Sequence, residues 1–361
     1  MKILSFANFG FAESHALSFA LLVYASSWFK LHYPAAFLAG LLRNQPMGFY
    51  SPQSLVADAR RHGVVVGRPD LQLSGALAGL ELLDGSSAGS TGLDGCLHPH
   101  HARTEWQADS SDPTLTHRRD GHHSVRLGLD SVRGIGLEVA ERIVAAREQA
   151  PFVDVTDVSR RAGLTSAQLE ALATAGAFES LGLDRRQALW VAGAAERSDH
   201  LAGSTPAPAP PPLPAMTDIE LTLADLWATR ISPERHPVEH LRDELTRAGI
   251  KSIADLQHVE PRRRVHVAGL VTHRQRPGTA QGVTFLNLED ETGMLNVVCS
   301  IGVMRAHRQA ARNRVAVVVR GILERQEGAL NLVADRVEGI DTLVPGAGAV
   351  LQARAQSRDF R

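Results

Sequence analysis

The chain has 361 residues, 44% of them hydrophobic and 21% charged, with a formal net charge of −1. At roughly 100–200 residues per domain, the length suggests two or three domains, and the hydrophobic fraction excludes whole-chain disorder. Two cysteines exclude a disulfide framework and a four-cysteine zinc site and fit a reducing, cytoplasmic setting, while near-neutrality argues against a uniformly basic coat but not against local basic patches.

The first apolar run, Ala16 to Phe29, is shorter than the roughly 20 residues that span a bilayer. Glu13 and His15 precede it, serines interrupt it and Lys30 closes it, so it reads as a buried helix of a soluble protein with Ser14 as its cap, and not as a signal peptide or a membrane span. Pro34 opens a second helix. Ser51-Pro52 opens a third, which ends before Gly63, and Val64-Val65-Val66 is a short strand candidate. Residues 1–74 thus form a helical module.

Residues 75–123 are rich in Gly, Ser, Asp and His and lack periodicity, which predicts a loop. Cys96, His98, His100, His101, His117, His122 and His123 match no metal-ligand spacing, so no metal site is expected. Residues 124–200 are helical again. Within them Val132-Arg133-Gly134-Ile135-Gly136 is a tight turn between helices, followed by a helix over Leu137 to Arg147. Glycines let backbone approach a phosphate, and the free N–H groups at the head of the helix attract the anion. Arg133, Gly134, Ile135 and Gly136 are therefore candidate DNA-binding residues that grip the backbone without reading sequence. A second glycine turn, Ala173 to Phe178, carries a bulky Phe178 and no arginine, which points to a structural role in a tandem helix-hairpin-helix module.

Residues 201–216 include the Pro/Ala tract Pro206 to Pro214, a semi-rigid spacer. A helical connector follows over 217–262. Residues 263–341 alternate as five short strands with a helix between the third and fourth, the pattern of an OB-fold barrel. Residues 342–361 form a tail. In the barrel, the long basic loop His273 to Gly278 offers Arg274 and Arg276 for tracking a nucleic-acid backbone, and Phe285, the one aromatic on strands two and three, is left open between a place in the core and base stacking. Glu289, Asp290 and Glu291 read as a solvated turn cluster. The expected fold class is multidomain α+β: an all-α N-terminal part, the tandem hairpins, and a five-stranded barrel.

Several strings are specific. Phe9 to Ala16, Pro34 to Phe37, Gln45 to Gln53, Asp58 to Gly63, Ala224 to Thr229, Arg274 to Phe285, Leu288 to Gly293 and Ser357 to Arg361 resemble error-prone DNA polymerases of the bacterial C family, in their actinobacterial branch. These are relatives of the replicative polymerase III alpha subunit. The resemblance covers nearly the whole chain outside the loop after Gly75. It implies that residues 1–74 are the end of the polymerase fingers, with Ser14, His15 and Lys30 near the nucleotide in a complete enzyme. The palm with its metal-binding aspartates would lie before Met1, so the chain alone is expected to bind duplex and single-stranded DNA without polymerising. Mg²⁺ is implied only for the complete polymerase, as are a sliding clamp and an inactive Y-family-like accessory protein as partners. The rival reading is a free-standing, non-enzymatic DNA-binding scaffold. An OB-fold RNA binder is a third, against which the duplex-type hairpins weigh.

Overall fold

The computed structural model describes residues 13–48, 50–83, 117–194, 210–326, 329–342 and 358–360. Helix α1 (Glu13–His32) begins one residue before Ser14, so Ser14 lies inside the helix and does not cap it; its carbonyl accepts the Ser18 hydroxyl at 2.9 Å. The helix is also not buried. Leu17 is 73% exposed and Tyr24 78%, and only the last turn, at His32, is covered. Apolarity predicted burial, but no described element packs along the body of this helix.

Helix α2 (Pro34–Arg43) has Pro34 in its first turn. Its free N–H groups are satisfied from far away in sequence: Asp120 Oδ2 accepts from Ala35 at 2.8 Å and Ala36 at 3.1 Å. Helix α3 (Pro52–Arg61) is capped by Ser51, whose hydroxyl accepts from the Ser54 N–H at 3.1 Å. These helices pack on a small sheet of β1 (Val66–Gly67), β2 (Gly79–Leu82) and β3 (His123–Arg126), in the order β1-β3-β2. The sheet corrects the expected loop over 75–123. Its two ends are ordered, because Gly79 to Leu82 pairs antiparallel with Arg126 to His123. Cys96, His98, His100 and His101 lie outside the described residues, as does most of the Pro/Ala tract.

The helical module comprises α4 (Leu137–Gln149), α5 (Val155–Ala162), α6 (Ser166–Thr174) and α7 (Arg185–Ala194). Asp154 caps α5, and Thr165 with Gln168 forms a capping box on α6. One core joins them around Phe178, Ile143 and Leu172, all fully buried. Gly176 takes φ +80° at the second turn and Phe178 fills the core, which accounts for a bulky residue there.

The connector is more broken than its sequence predicts. It has α8 (Asp218–Ala228), a 3₁₀ turn at Glu239–Leu241, α9 (Arg242–Arg247) and a second 3₁₀ segment at Ala254–His258. Val238, Leu241, Leu245 and Ile250 pack on the outside of the barrel against Ala268, Leu270 and Val318.

The barrel strands are β4 (Arg264–Gln275), β5 (Thr284–Glu289), β6 (Met294–Cys299), β7 (Ala316–Gln326) and β8 (Ala329–Gly339). The order β5-β6-β8-β7-β4 closes through β4–β5 pairing, with β6 and β8 parallel. Between β6 and β7 lie α10 (Ile301–Ala306) and α11 (Arg308–Asn313). A short strand β9 (Arg358–Phe360) adds parallel to His273–Gln275 of β4. Gly321 is required where it stands, because a Cβ there would lie 2.4 Å from the Val333 carbonyl oxygen.

Candidate nucleic-acid interface

At the first hairpin, a 3₁₀ turn at Leu129–Ser131 leads into the glycine turn. Val132 and Ile135 are buried and anchor it from below. Gly134 takes φ +77°, a left-handed conformation that glycine adopts without strain. Gly136 has ordinary extended backbone, φ −77° and ψ 169°, immediately before α4. A Cβ on either glycine would meet nothing within 4 Å. Neither glycine is therefore there to fit the protein's own packing; the space above them is open to a ligand.

Arg133 is held from the connector. Its N–H donates to the Ala228 carbonyl at 2.7 Å, and its guanidinium carbon stands 4.9 Å from the centroid of the Trp227 ring. Stacking of this kind leaves the in-plane N–H groups free for a phosphate. Nothing in the local sequence of the hairpin reveals Trp227, which comes from a different element far along the chain. Glu138, in the first turn of α4, opposes an anion, and Arg142 at 3.8 Å partly offsets it.

The connector is also an electrostatic tie. Asp225 is buried and accepts from Arg68 Nε at 3.1 Å and from Arg185 of α7. Arg68 also pairs with Glu234, and these carboxylates hold its guanidinium well above its ordinary pKa against the cost of burial.

In the barrel, the expected basic loop is shorter than its sequence suggests, since β4 runs on to Gln275 with an irregularity between Val271 and His273. Arg274 is consequently a strand residue, only 9% exposed. Its Nε donates to the Ala311 carbonyl at 2.8 Å and a terminal nitrogen to that of Arg314, so it caps the end of α11. This corrects its assignment as a backbone-tracking cation. Arg276 is exposed. Phe285 points away from the barrel core, half-buried, opposite Val298 and Gln275. Asn287 and Asn296 continue that outer row, and Asn296 donates to Asn331 at 2.7 Å.

The acidic cluster is not solvated. Glu289 is 1% exposed and Asp290 fully buried. Glu289 accepts the Ser54 hydroxyl at 2.8 Å and faces Arg61 at 3.7 Å; burial pushes its carboxyl up, against those two partners. Asp290 binds the Ile253 and Gly293 N–H groups and Arg242, and Glu291 also pairs with Arg242. These carboxylates join the barrel to α3 and the connector.

Of the residues implied to lie near a nucleotide, His15 stacks edge-on with Phe19 at 4.5 Å on the exposed helix α1. Lys30 pairs with Asp58 at 2.8 Å. Lys30 also lines a groove of about 390 Å³ with Phe37, Leu41, Tyr50, His62 and Met294, between the N-terminal helices and the barrel. Ser14 and Lys30 stand near opposite ends of one helix, and Arg133 belongs to another unit, so the candidates form separate sites. Among the described residues no three His, Cys, Asp or Glu side chains converge to hold a metal ion, and no helix is long and apolar enough to cross a membrane.

Comparison with known proteins fits this arrangement. A helix-hairpin-helix motif model matches residues 63–188, and an OB-fold nucleic acid binding domain model matches residues 265–340. The error-prone DNA polymerase of Cutibacterium acnes is 53% identical over all of this chain and 32% of its own length. Those of Mycolicibacterium paratuberculosis and Corynebacterium glutamicum are 50% and 43% identical, over all of this chain and 29% and 30% of theirs. The chain is homologous along its whole length to the C-terminal part of error-prone DNA polymerases. It spans less than a third of those relatives. Among solved structures, asparaginyl-tRNA synthetase from Pyrococcus horikoshii aligns with 27% of the chain at 21% identity and a TM-score of 0.21, too slight a likeness to argue from.

Proposed function

We propose that this chain is the DNA-binding C-terminal part of an error-prone, damage-tolerant DNA polymerase alpha subunit, in which the first hairpin grips duplex backbone and the barrel contacts single-stranded DNA. The observation that carries this reading is the open space over Gly134 and Gly136 at the head of α4, with Arg133 stacked on Trp227 beside it. A phosphate there would meet free N–H groups, the positive end of a helix and a guanidinium together. Such contacts read no base and suit an enzyme that must hold any sequence.

Template-directed nucleotide addition belongs, in this reading, to the complete enzyme. Mg²⁺ would be held by carboxylates of its palm, since among the described residues no three His, Cys, Asp or Glu side chains stand together as a donor set for it. The exposed apolar surface of α1, with Ser14, His15 and Lys30, is where the remainder of the enzyme would pack. A sliding clamp and an inactive Y-family-like accessory protein are the partners this reading implies for the whole polymerase, in the cytoplasm.

The test is duplex binding by the purified chain followed over a salt series. Arg133→Ala with Gly136→Val should weaken binding and flatten its salt dependence. Unchanged binding would remove the hairpin as the site. Primer extension by the chain alone with Mg²⁺ would overturn the division of labour.

A further inference from the structure

The segment from Ile301 to Arg314 carries Arg305, Arg308, Arg312, Arg314 and His307 and no carboxylate, in a chain whose net charge is −1. Its apolar side is spent on the barrel: Ala311 is buried, and Val303, Met304 and Ala310 pack against the barrel core. The arginines are left on the outside. Arg305, Arg308 and Arg312 are exposed, and among the described residues none of them takes part in an ion pair, whereas Arg314 pairs with Asp341 at 3.0 Å.

Ordinary solvated helices of this protein are built differently. Arg142 stands over Glu138, Arg161 over Asp157 and Arg247 over Glu244, each at one-turn spacing. Such pairs neutralise a surface. On α10 and α11 that compensation is missing, so like charges accumulate on adjacent turns. The carbonyl end of α11, which would repel an anion, is covered by the buried Arg274 guanidinium.

Arg276 extends the patch. A Cβ on Gly282 would lie 2.8 Å from Ile301 Cδ1 and 3.5 Å from Arg276 Nη2, so the Arg276 side chain reaches the start of α10. Arg276 also follows directly on Gln275, whose strand partner is Phe285. A row of guanidinium groups therefore begins beside the outward aromatic of the barrel.

We propose that α10, α11 and Arg276 form a ridge that tracks the phosphates of single-stranded DNA. All its cations are arginines, whose planar fork matches phosphate oxygens, and Phe285 at one end suits a strand with unpaired bases rather than an acidic peptide. The proposal rests on the reading of the barrel as a single-strand-binding unit.

The experiment uses the full chain and a fluorescent oligo-dT, with anisotropy read from low to high KCl. Arg305→Gln with Arg308→Gln and Arg312→Gln should lower the slope of log affinity against log salt by about 2, at roughly 0.7 per phosphate contact on a single strand. At 0.15 M salt that corresponds to about fifty-fold weaker binding. The triple lysine variant should recover most of the slope, and thermal unfolding confirms that each variant is folded. Phe285→Ala tests the barrel reading separately, since it should weaken binding while leaving the slope unchanged. A wild-type slope in the triple glutamine variant overturns the ridge, and the barrel reading survives if Phe285→Ala weakens binding and falls with it if not. If poly-glutamate binds the chain as tightly per charge as oligo-dT, the ridge is a docking face for acidic protein and the proposal is wrong.

Discussion

Gly136→Val separates a glycine kept for folding from one kept for a ligand. The Gly136 backbone is extended, at φ −77° and ψ 169°, where valine is at ease. The added side chain starts in open space, with no atom within 4 Å of its Cβ. The folded state therefore loses only the advantage of glycine over an apolar residue at a helix N-cap, at most about 1 kcal/mol. Binding should suffer more. Branched methyl groups over the head of α4 keep a phosphate from the N–H groups, and a hydrogen bond to a charged group is worth about 1.5–3 kcal/mol. That is roughly a ten- to hundredfold loss of duplex affinity, with the salt slope falling by about 0.9 for one lost phosphate. Urea unfolding and anisotropy titration with a labelled duplex measure the two quantities on the same sample. Gly134 could not decide the matter, because at φ +77° a valine is strained whether or not DNA binds. A Gly136→Val chain with wild-type stability, affinity and slope would refute the phosphate-binding role of this turn.

Trp227→Ala should weaken duplex binding by the worth of an exposed cation–π contact, about 0.5–1 kcal/mol, and a double-mutant cycle with Arg133→Ala should show coupling of that size; strict additivity would sever the link. Phe178→Ala empties the centre of the helical core and should cost about 3–5 kcal/mol in urea unfolding, whereas a loss under about 1 kcal/mol would mean that the second turn does not hold that core together. Burial, followed by the charges of Arg61, Arg60 and Arg242, pushes the His236 imidazole down to about 3, and its Nδ1 accepts from the Val238 N–H at 3.3 Å. Between pH 6.5 and that value the unfolded chain binds a proton that the folded chain refuses, so stability is full above pH 6.5 and falls as the pH drops. His236→Asn, which keeps an acceptor for Val238, should flatten the decline between about pH 6.5 and 4; an unchanged slope would assign the acid sensitivity to other groups.

Features that depend on neighbours in sequence are legible from local spacing. The Gly134-Ile135-Gly136 turn, the Ser51-Pro52 helix start and the alternating strands of the barrel all stand where that spacing puts them. Features that depend on distant partners are not. Arg274 reads as a loop cation, but β4 continues through it, and the carbonyls that absorb its charge lie 37 and 40 residues away. Glu289 reads as a turn carboxylate, but its partner Ser54 is 235 residues upstream. Strand β2 alternates over only Leu80-Glu81-Leu82, with both leucines on its exposed side, and its order comes from pairing with β3 across a long insertion. Helix α1 misleads in the other direction, since an apolar composition reports what a helix could bury and not what covers it.

Those distant partners share a chemistry that explains how the units keep their orientation. Apolar contacts are non-directional, so the core patches between connector and barrel could tolerate sliding. Each junction also contains a buried carboxylate with donors from elements far apart in the chain. Asp120 holds the first turn of α2 while pairing with Arg118 at 2.9 Å. Asp225 takes Arg68 from the first module and Arg185 from α7. Glu289 takes Ser54 and Arg61 from α3, and Asp290 takes Arg242 and the Ile253 N–H from the connector. A buried charge left without its partner is costly, by about 3–5 kcal/mol, so a small rotation at any junction is opposed far more strongly than apolar contact alone would oppose it. Asp225 and Trp227 stand on the same helix, one side fastening the modules and the other side supporting Arg133. The connector thus fixes the hairpin's cation at the same time as it fixes the hairpin relative to the barrel, which is what a protein needs if a duplex held at one site is to lead its single strand to the other.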